Sequence, residues 1–190
     1  MHAAEFAAKW YIVEPAALDA ASLEFFQRYA LASAASGAMK LDDSQVPGTP
    51  SAYGDPVMEM LLERLRPKVE RATGLSLLPT YSYFRVYKRG DVLKRHRDRP
   101  SCEISVTLNL GMTVDEPWPI WIAGPMGKAS VALKPGDGLV YRGCDCDHWR
   151  DAFVGDYLAQ VFLHYVDENG PYAELKFDTR SSLSGFRTTR

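Results

Sequence analysis

The sequence predicts a mostly β protein with N-terminal helices, an α+β chain whose strands form a β-sandwich or jelly-roll barrel with the helices packed outside. Two helical stretches come first, about eight short strands separated by turn residues follow Gly74, and Glu103–Leu110 alternates apolar with polar residues. With 190 residues, 46% of them hydrophobic and 24% charged, the chain fits one domain or two small ones. This composition excludes a disordered chain, a collagen and a coiled coil.

The N-terminal part of the chain carries two helix patterns. The first runs from Ala17 to Ala35, where apolar residues recur at helical spacing. The second runs from about Asp55, its N-cap, to Thr73, with Pro56 at the first helical position and Gly74 after the last. Pro67 predicts a kink inside this second helix. The apolar positions of the second helix share one face: Val57, Met60, Leu61, Leu65 and Val69.

The stretch from Ser36 to Tyr53 is rich in turn residues and predicts a loop between the helices. It is either a lid over a substrate or an ordinary helix–helix connection. The strands predicted from period-two patterns and flanking turns are Thr80–Tyr87, Glu103–Leu110, Trp118–Ala123, Ser130–Leu133, Gly138–Tyr141, Cys146–Phe153 and Tyr157–Asp167. The polar residues after them form an extended tail or a cover.

Charge and cysteine content narrow the class of protein further. The 22 Lys and Arg against 24 Asp and Glu give a net charge of −2, which argues against a polybasic nucleic-acid binder. No apolar run reaches the roughly 18–20 residues of a membrane span. With three cysteines and no signal-peptide pattern, we expect free thiols in a cytoplasmic protein without a nucleic-acid or membrane partner.

The first feature with specific chemistry is the sequence His96-Arg97-Asp98. On a strand, residues i and i+2 share a face, so the imidazole and the carboxylate would supply two ligands to one metal. His148, in a strand after the Pro-Gly-Asp-Gly turn, is the candidate for the third ligand. Two histidines and one carboxylate are the ligand set of non-haem Fe(II) oxygenases. Taken alone, a His-x-Asp pair is more often a surface polar pair.

Four ordered segments strengthen this interpretation. They lie between roughly Leu75 and Asp167, about half the chain. The segments are Tyr83–Pro100, Cys102–Gly111, Lys134–Tyr141 and Asp147–Arg150. Together they resemble the prolyl 4-hydroxylase-like branch of the Fe(II)/2-oxoglutarate-dependent dioxygenases.

The resemblance implies a single dioxygenase domain over residues 1–190. Residues 1–74 would be a helical support with a loop, residues 75–167 a cupin-like double-stranded β-helix core, and residues 168–190 a C-terminal tail. It further implies Fe(II) held by His96, Asp98 and His148, with 2-oxoglutarate and O2 as cosubstrates and ascorbate in a supporting role. The implied reaction is hydroxylation of a C–H bond of an amino acid, peptide or small metabolite, with release of succinate and CO2. The oligomeric state stays open.

The sequence departs from this family where a cation usually binds the distal carboxylate of 2-oxoglutarate, because Tyr157-Leu158-Ala159 offers none. Arg150, two residues after His148 on the same strand face, is the first substitute, and Arg85 is the second. The alternative for Arg150 is a rim salt bridge with Asp151 or Asp156.

Three uncharged side chains complete the candidate cosubstrate site. Tyr87 matches the tyrosine of the family that hydrogen-bonds the cosubstrate, and its alternative role is to fill the barrel. Asn109 and Gln160 face inward by alternation and are candidate donors around the cosubstrate, or buried polar groups whose hydrogen bonds other protein groups satisfy.

Two other functions fit parts of the sequence. A cupin-like module would bind a metal or ligand without oxidising anything, which the missing cation favours. A zinc enzyme would use Cys144, Cys146 and His148, which alternation places on one face. His164, on an inward strand position, is by default a hydrogen-bonded core residue, and the alternatives are a contact with a metal ligand or with the substrate.

Overall fold

The computed structural model describes residues 2–186. Within them, three α-helices are α1 His2–Lys9, α2 Ala20–Ala35 and α3 Pro56–Thr73. The ten strands are β1 Tyr11–Glu14, β2 Ser51–Tyr53, β3 Leu77–Lys88, β4 Leu93–His96, β5 Ile104–Met112, β6 Ile120–Gly124, β7 Gly127–Val131, β8 Gly138–Arg142, β9 Asp147–Arg150 and β10 Tyr157–Asp167. Two 3-10 helices cover Pro100–Cys102 and Ala173–Thr179.

The strands form two antiparallel sheets that face each other. The larger sheet has the order β1-β8-β5-β10-β3-β2 and the smaller one has the order β4-β9-β6-β7. From β3 onward the chain crosses repeatedly from one sheet to the other, which is the wiring of a jelly roll. This wiring brings β4 and β9, which are far apart in sequence, into direct pairing.

Both predicted helices form, the first from Ala20 rather than Ala17 and the second with its predicted caps. The Asp55 carboxylate accepts hydrogen bonds from the backbone N–H groups of Val57 and Met58, each at 3.0 Å, and Gly74 ends α3 with a φ of 75°. Helix α3 continues through Pro67 to Thr73. The prediction was wrong about Met60, which is 60% exposed, because Met58 takes a buried position instead.

The helices pack on the outer face of the larger sheet. The apolar alternation of β5 points toward them, so that Ile104 and Val106 join a core that includes Met58 and Leu61 of α3. The polar residues of the same strand point between the two sheets, where Ser105, Thr107 and Asn109 are also buried. The space between the sheets therefore has polar walls, which a ligand with polar groups requires.

Residues 2–53 contain more regular structure than their sequence predicts. Helix α1 and strand β1 precede the first predicted helix, and β2 forms within the predicted loop. These elements are too short for a period to be read. Strands β1 and β2 are the edge strands of the larger sheet, so pairing with β8 and β3 stabilises them. No helix within residues 2–186 is both long and apolar enough to span a bilayer.

The segment after β10 returns to the body of the molecule. Arg180 donates a hydrogen bond at 2.6 Å to Glu59, a fully buried carboxylate of α3 that also accepts from the Ser184 backbone N–H. The Asp178 carboxylate accepts two bonds from Arg99, each at 2.7 Å. The polar C-terminal residues thus act as a cover up to Phe186, and residues 187–190 lie outside the described part.

Replacing Glu59 by Ala tests this anchor. The substitution leaves Arg180 without its buried partner, and loss of one member of a buried ion pair costs about 3 kcal/mol. We expect the free energy of unfolding in urea to fall by that amount and trypsin to cleave the C-terminal segment faster. Glu24→Ala removes an exposed pair with Arg28 and serves as the control, with a change of about 0.5 kcal/mol or less. Equal losses in both variants would contradict the anchor.

Candidate metal centre

The three residues of the predicted metal set meet at one point between the sheets. His96 ends β4 and lies directly opposite His148 of β9 in the strand register. The Asp98 Oδ1 atom is 3.6 Å from His96 Nε2 and 3.5 Å from His148 Nε2. The ligand atoms of the three side chains all lie within 4.8 Å of one another.

Backbone carbonyl groups fix the orientation of both imidazole rings. His96 Nδ1 lies 2.8 Å from the Lys94 carbonyl oxygen, and His148 Nδ1 lies 3.0 Å from the Cys146 carbonyl oxygen. Because a carbonyl oxygen only accepts, each Nδ1 donates its proton to that oxygen, and Nε2 is the nitrogen of each ring that is left for a metal. Both Nε2 atoms face Asp98, and a protein group holds the other nitrogen of each ring, as is usual for metal-binding histidines.

The electrostatics keep the Asp98 carboxylate ionised. Burial opposes ionisation, but hydrogen bonds with His148 and His96 outweigh it and hold the pKa of Asp98 well below its usual range. Burial lowers the pKa of His96, and interaction with Asp98 reverses this into a net upward shift. Ser105 Oγ donates to the other oxygen, Asp98 Oδ2, at 3.1 Å. One carboxylate oxygen is thereby left for a cation.

The donor set suits Fe(II). Two imidazole nitrogens and one carboxylate oxygen, all from one side, leave further coordination positions for other ligands. The zinc alternative does not assemble, because Cys144 Sγ donates to the Arg99 carbonyl oxygen and Cys146 Sγ to that of Trp10. Strand β9 begins only at Asp147, so strand alternation does not apply to the two cysteines in the turn before it.

A cavity of about 570 Å³ opens beside this set. Its walls include Tyr83 and Arg85 of β3, Phe162 and His164 of β10, and the loop residues 42–45. Burial lowers the pKa of His164 to about 4, so that its ring is neutral near pH 7. The predicted loop between the helices thus forms one wall of the cavity.

Of the five candidate cosubstrate residues, only Arg85 lines this cavity. Its guanidinium is buried, forms an ion pair with Asp43 and donates to the Tyr87 hydroxyl at 3.0 Å. Burial alone would lower the pKa of Arg85, but Tyr87 and Asp43 raise it, so the side chain stays charged.

Arg150 is also buried but does not line this cavity. It donates to the Trp118 carbonyl oxygen and, at 3.1 Å, to Gln160 Oε1. The rim salt bridge considered for it is wrong, because Asp151 and Asp156 bind other residues, and no described carboxylate pairs with Arg150. Burial lowers its pKa to about 10.

The remaining three candidates are engaged with other protein groups. Tyr87 packs edge-on against Trp118, with ring centroids 5.0 Å apart. Asn109 donates to the Leu133 carbonyl oxygen at 2.8 Å, and Gln160 accepts from Arg150 and donates to Thr107. Asn109 and Gln160 face the interior as predicted, and the alternative of buried polar satisfaction describes their contacts.

Three residues near the metal set had no signal of their own in the sequence. Asp43 reaches the cavity from a loop whose path no periodicity predicts. Ser105 was visible only as one member of a polar alternation. A Cβ on Gly143 would lie 2.5 Å from Asp98 Oδ2 and 2.7 Å from Ser105 Oγ, so a side chain here would displace the carboxylate.

No family model and no curated protein matches the chain. Several solved structures match it in fold. A prolyl-4-hydroxylase from Pseudomonas putida aligns with a TM-score of 0.69 and 17% identity, over 86% of this chain and 98% of that one. The non-heme alpha ketoglutarate dependent epimerase SnoN from nogalamycin biosynthesis aligns with a TM-score of 0.74 and 15% identity, over 87% and 81%. EctD from S. alaskensis, with 2-oxoglutarate and 5-hydroxyectoine, aligns with a TM-score of 0.69 and 18% identity, over 87% of this chain and 74% of that one.

The fold is a double-stranded β-helix. In this double-stranded β-helix, β3, β5, β8 and β10 belong to the larger sheet and β4, β6, β7 and β9 to the smaller one. The prediction of a mostly β chain with N-terminal helices and a jelly-roll core is confirmed. At these identities the likeness concerns the fold, and the site must be argued from its own residues.

Metal analysis tests the assignment of ligands. Substituting a residue that only hydrogen-bonds a metal ligand weakens metal binding up to roughly 100-fold. We expect Asp98→Ala to weaken Fe(II) binding by more than this, because it removes a ligand atom. Cys146→Ala serves as the matched control and should keep the wild-type iron content. The measurement is iron per chain after anaerobic loading and desalting. Loss of metal in the cysteine variant alone would refute the assignment.

Proposed function

We propose that the protein is a non-haem Fe(II)- and 2-oxoglutarate-dependent oxygenase that hydroxylates a C–H bond of an amino acid, a peptide or a small metabolite. The observation that carries this proposal is the convergence of two imidazole Nε2 atoms and one ionised carboxylate beside a large cavity. The solved structures of the same fold include a prolyl-4-hydroxylase and an alpha ketoglutarate dependent epimerase, which adds support.

In this proposal His96, Asp98 and His148 hold the iron. When bound, Fe(II) with 2-oxoglutarate and O2 supplies an oxidative decarboxylation that yields succinate and CO2 and inserts one oxygen atom into the substrate. The protein contributes the geometry. The two backbone carbonyl groups set the tautomers of the histidines, and Ser105 holds the second oxygen of Asp98.

Arg85, rather than the Arg150 that strand alternation favours, is the residue that we assign to the distal carboxylate of the cosubstrate. Arg85 lines the same cavity as the metal set, and a guanidinium binds a carboxylate through two parallel hydrogen bonds. Its ion pair with Asp43 supports this choice, since a carboxylate already binds there. Tyr87 would act through Arg85, to which its hydroxyl is bonded.

We further propose that residues 36–53 cover the substrate, because residues 42–45 of this loop line the cavity. The three cysteines are free thiols, which fits a reducing, cytoplasmic location. The solved structures of this fold name different molecules, among them 5-hydroxyectoine and hygromycin B, so the fold leaves the substrate open.

Succinate formation tests the proposed reaction. We expect the wild-type protein with Fe(II), ascorbate, O2 and 2-oxoglutarate to release succinate above the level of a His148→Ala control, which lacks a metal ligand. Under anaerobic conditions the wild-type protein should also show the charge-transfer absorption of an Fe(II)–2-oxoglutarate complex. If iron binds but neither signal appears with broad substrate mixtures, the protein is a binding module of cupin type.

Substitutions at the two arginines and at Asp43 test the cosubstrate site. We expect Arg85→Gln to raise the KM for 2-oxoglutarate roughly 10- to 100-fold, because it removes charged hydrogen bonds to a carboxylate. Asp43→Asn should lower this KM, since it removes a competing carboxylate from Arg85. Asp156→Asn, which makes the same change in an exposed pair with Arg89 outside the cavity lining, is the control. A large increase in Arg150→Gln with an unchanged KM in Arg85→Gln would return the role to Arg150.

A further inference from the structure

The Ser105 hydroxyl sits between three polar atoms next to the metal set. Its Oγ atom is 3.1 Å from Asp98 Oδ2, 3.1 Å from the Cys102 carbonyl oxygen and 2.9 Å from His164 Nδ1. Ser105 and His164 belong to the paired strands β5 and β10, where they lie directly opposite each other. All three contacts are therefore fixed by the sheet and by the 3-10 turn that precedes β5.

The proton count at this hydroxyl determines the tautomer of His164. The carboxylate and the carbonyl oxygen are both pure acceptors, and Ser105 has only one proton to donate. If that proton went to His164 Nδ1, the lone pairs of Oγ would face two other oxygens that offer no proton. Every polar atom here has a suitable partner only when Ser105 Oγ–H donates to Asp98 Oδ2 or the Cys102 carbonyl oxygen, and His164 Nδ1–H donates to Ser105 Oγ. The other ring nitrogen, Nε2, then carries a lone pair.

This lone pair has no partner within the described residues. His164 has the Nδ1 contact as its hydrogen bond there, and its ring lines the cavity. The neighbouring donors are engaged elsewhere, because the Tyr81 hydroxyl bonds Cys102 Sγ at 3.0 Å and Arg99 binds Asp178. The Tyr81 ring packs against the imidazole, with centroids 4.5 Å apart, and holds it in place. One ring nitrogen lies within 4.8 Å of an Asp98 oxygen, close to the metal set.

We propose that His164 selects the substrate by accepting a hydrogen bond at Nε2 from an O–H or N–H group next to the C–H bond that reacts. The proposal rests on the proposed oxygenase function and deepens it. It names the substrate class as molecules with a hydroxyl, amine or amide donor close to the oxidised carbon. Ser105 is the positioning residue, because it connects the candidate ligand Asp98 to His164 and fixes which nitrogen faces the cavity.

Nitrogen NMR tests the tautomer independently of any activity. In metal-free protein labelled with ¹⁵N-histidine, we expect His164 to be neutral, protonated at Nδ1 and unprotonated at Nε2. Ser105→Ala should convert this single tautomer into a mixture. Ser82→Ala is the matched control, because Ser82 is a buried serine on the paired strand β3 whose hydroxyl has no hydrogen-bond partner within residues 2–186. A proton on Nε2 in the wild-type protein, or an unchanged tautomer in Ser105→Ala, would overturn the proposal.

Two probes of nearly equal shape test the selection itself. Acetamide offers N–H donors, and acetone, in which a methyl group replaces the NH2 group, offers none. We expect acetamide to bind the wild-type protein roughly 2- to 10-fold more tightly, as one net hydrogen bond gives, and to shift the His164 Nε2 resonance. His164→Gln should keep part of this preference through its amide oxygen, and His164→Phe should lose it. Equal binding of both probes to the wild-type protein would overturn the proposal.

The two proposals fail in different ways. A protein that makes no succinate, yet shows the predicted tautomer and probe preference, would refute the oxygenase function. His164 would then still be the residue that accepts a hydrogen bond from a donor group of the ligand. A protein that makes succinate but has Nε2 protonated would keep the oxygenase function and refute the role of His164.

Discussion

The carboxylate of Asp98 is the group on which the rest of the site depends. One of its oxygens lies about equally far from the two histidine Nε2 atoms, and the other accepts from Ser105. Its backbone N–H donates to the Gly143 carbonyl oxygen at 2.9 Å, so a residue beyond the end of β4 is held as firmly as one inside a strand. Asp98 therefore connects strands of both sheets with the turn before β9 and with the wall of the cavity.

Burying that charge requires compensation, and the interior of the double-stranded β-helix supplies it. The strands of the larger sheet direct apolar residues toward the helices and polar residues inward, where hydroxyl and amide groups lie between the sheets with the guanidinium groups of Arg85 and of Arg150 from β9. Arg85 has a carboxylate partner from the loop, whereas Arg150 has only uncharged acceptors in the described part of the chain. The polar interior is thus costly to form alone and well suited to receive an anionic ligand.

Local features of the sequence predict the regular elements well where they carry a strong signal. Asp55, Pro56 and Gly74 fix both ends of α3, because capping and the left-handed conformation are properties of a few adjacent residues. The signal fails at Met60, since the width of an apolar face depends on what packs against it. It fails again at Cys144 and Cys146, because alternation applies only inside a strand, and β9 begins after them.

The sequence by itself determined the type of fold, both ends of α3 and the three residues of the candidate metal set, because these follow from residue type and from spacings within single segments. Only the tertiary structure decided which atoms of those residues meet, which arginine reaches the cavity, and that Asp43, Ser105 and His164 belong to the same site. Pairing of β4 with β9 and of β5 with β10 joins segments far apart in the chain. The direction of a side chain across such a pair is set by register and packing, which no local pattern encodes.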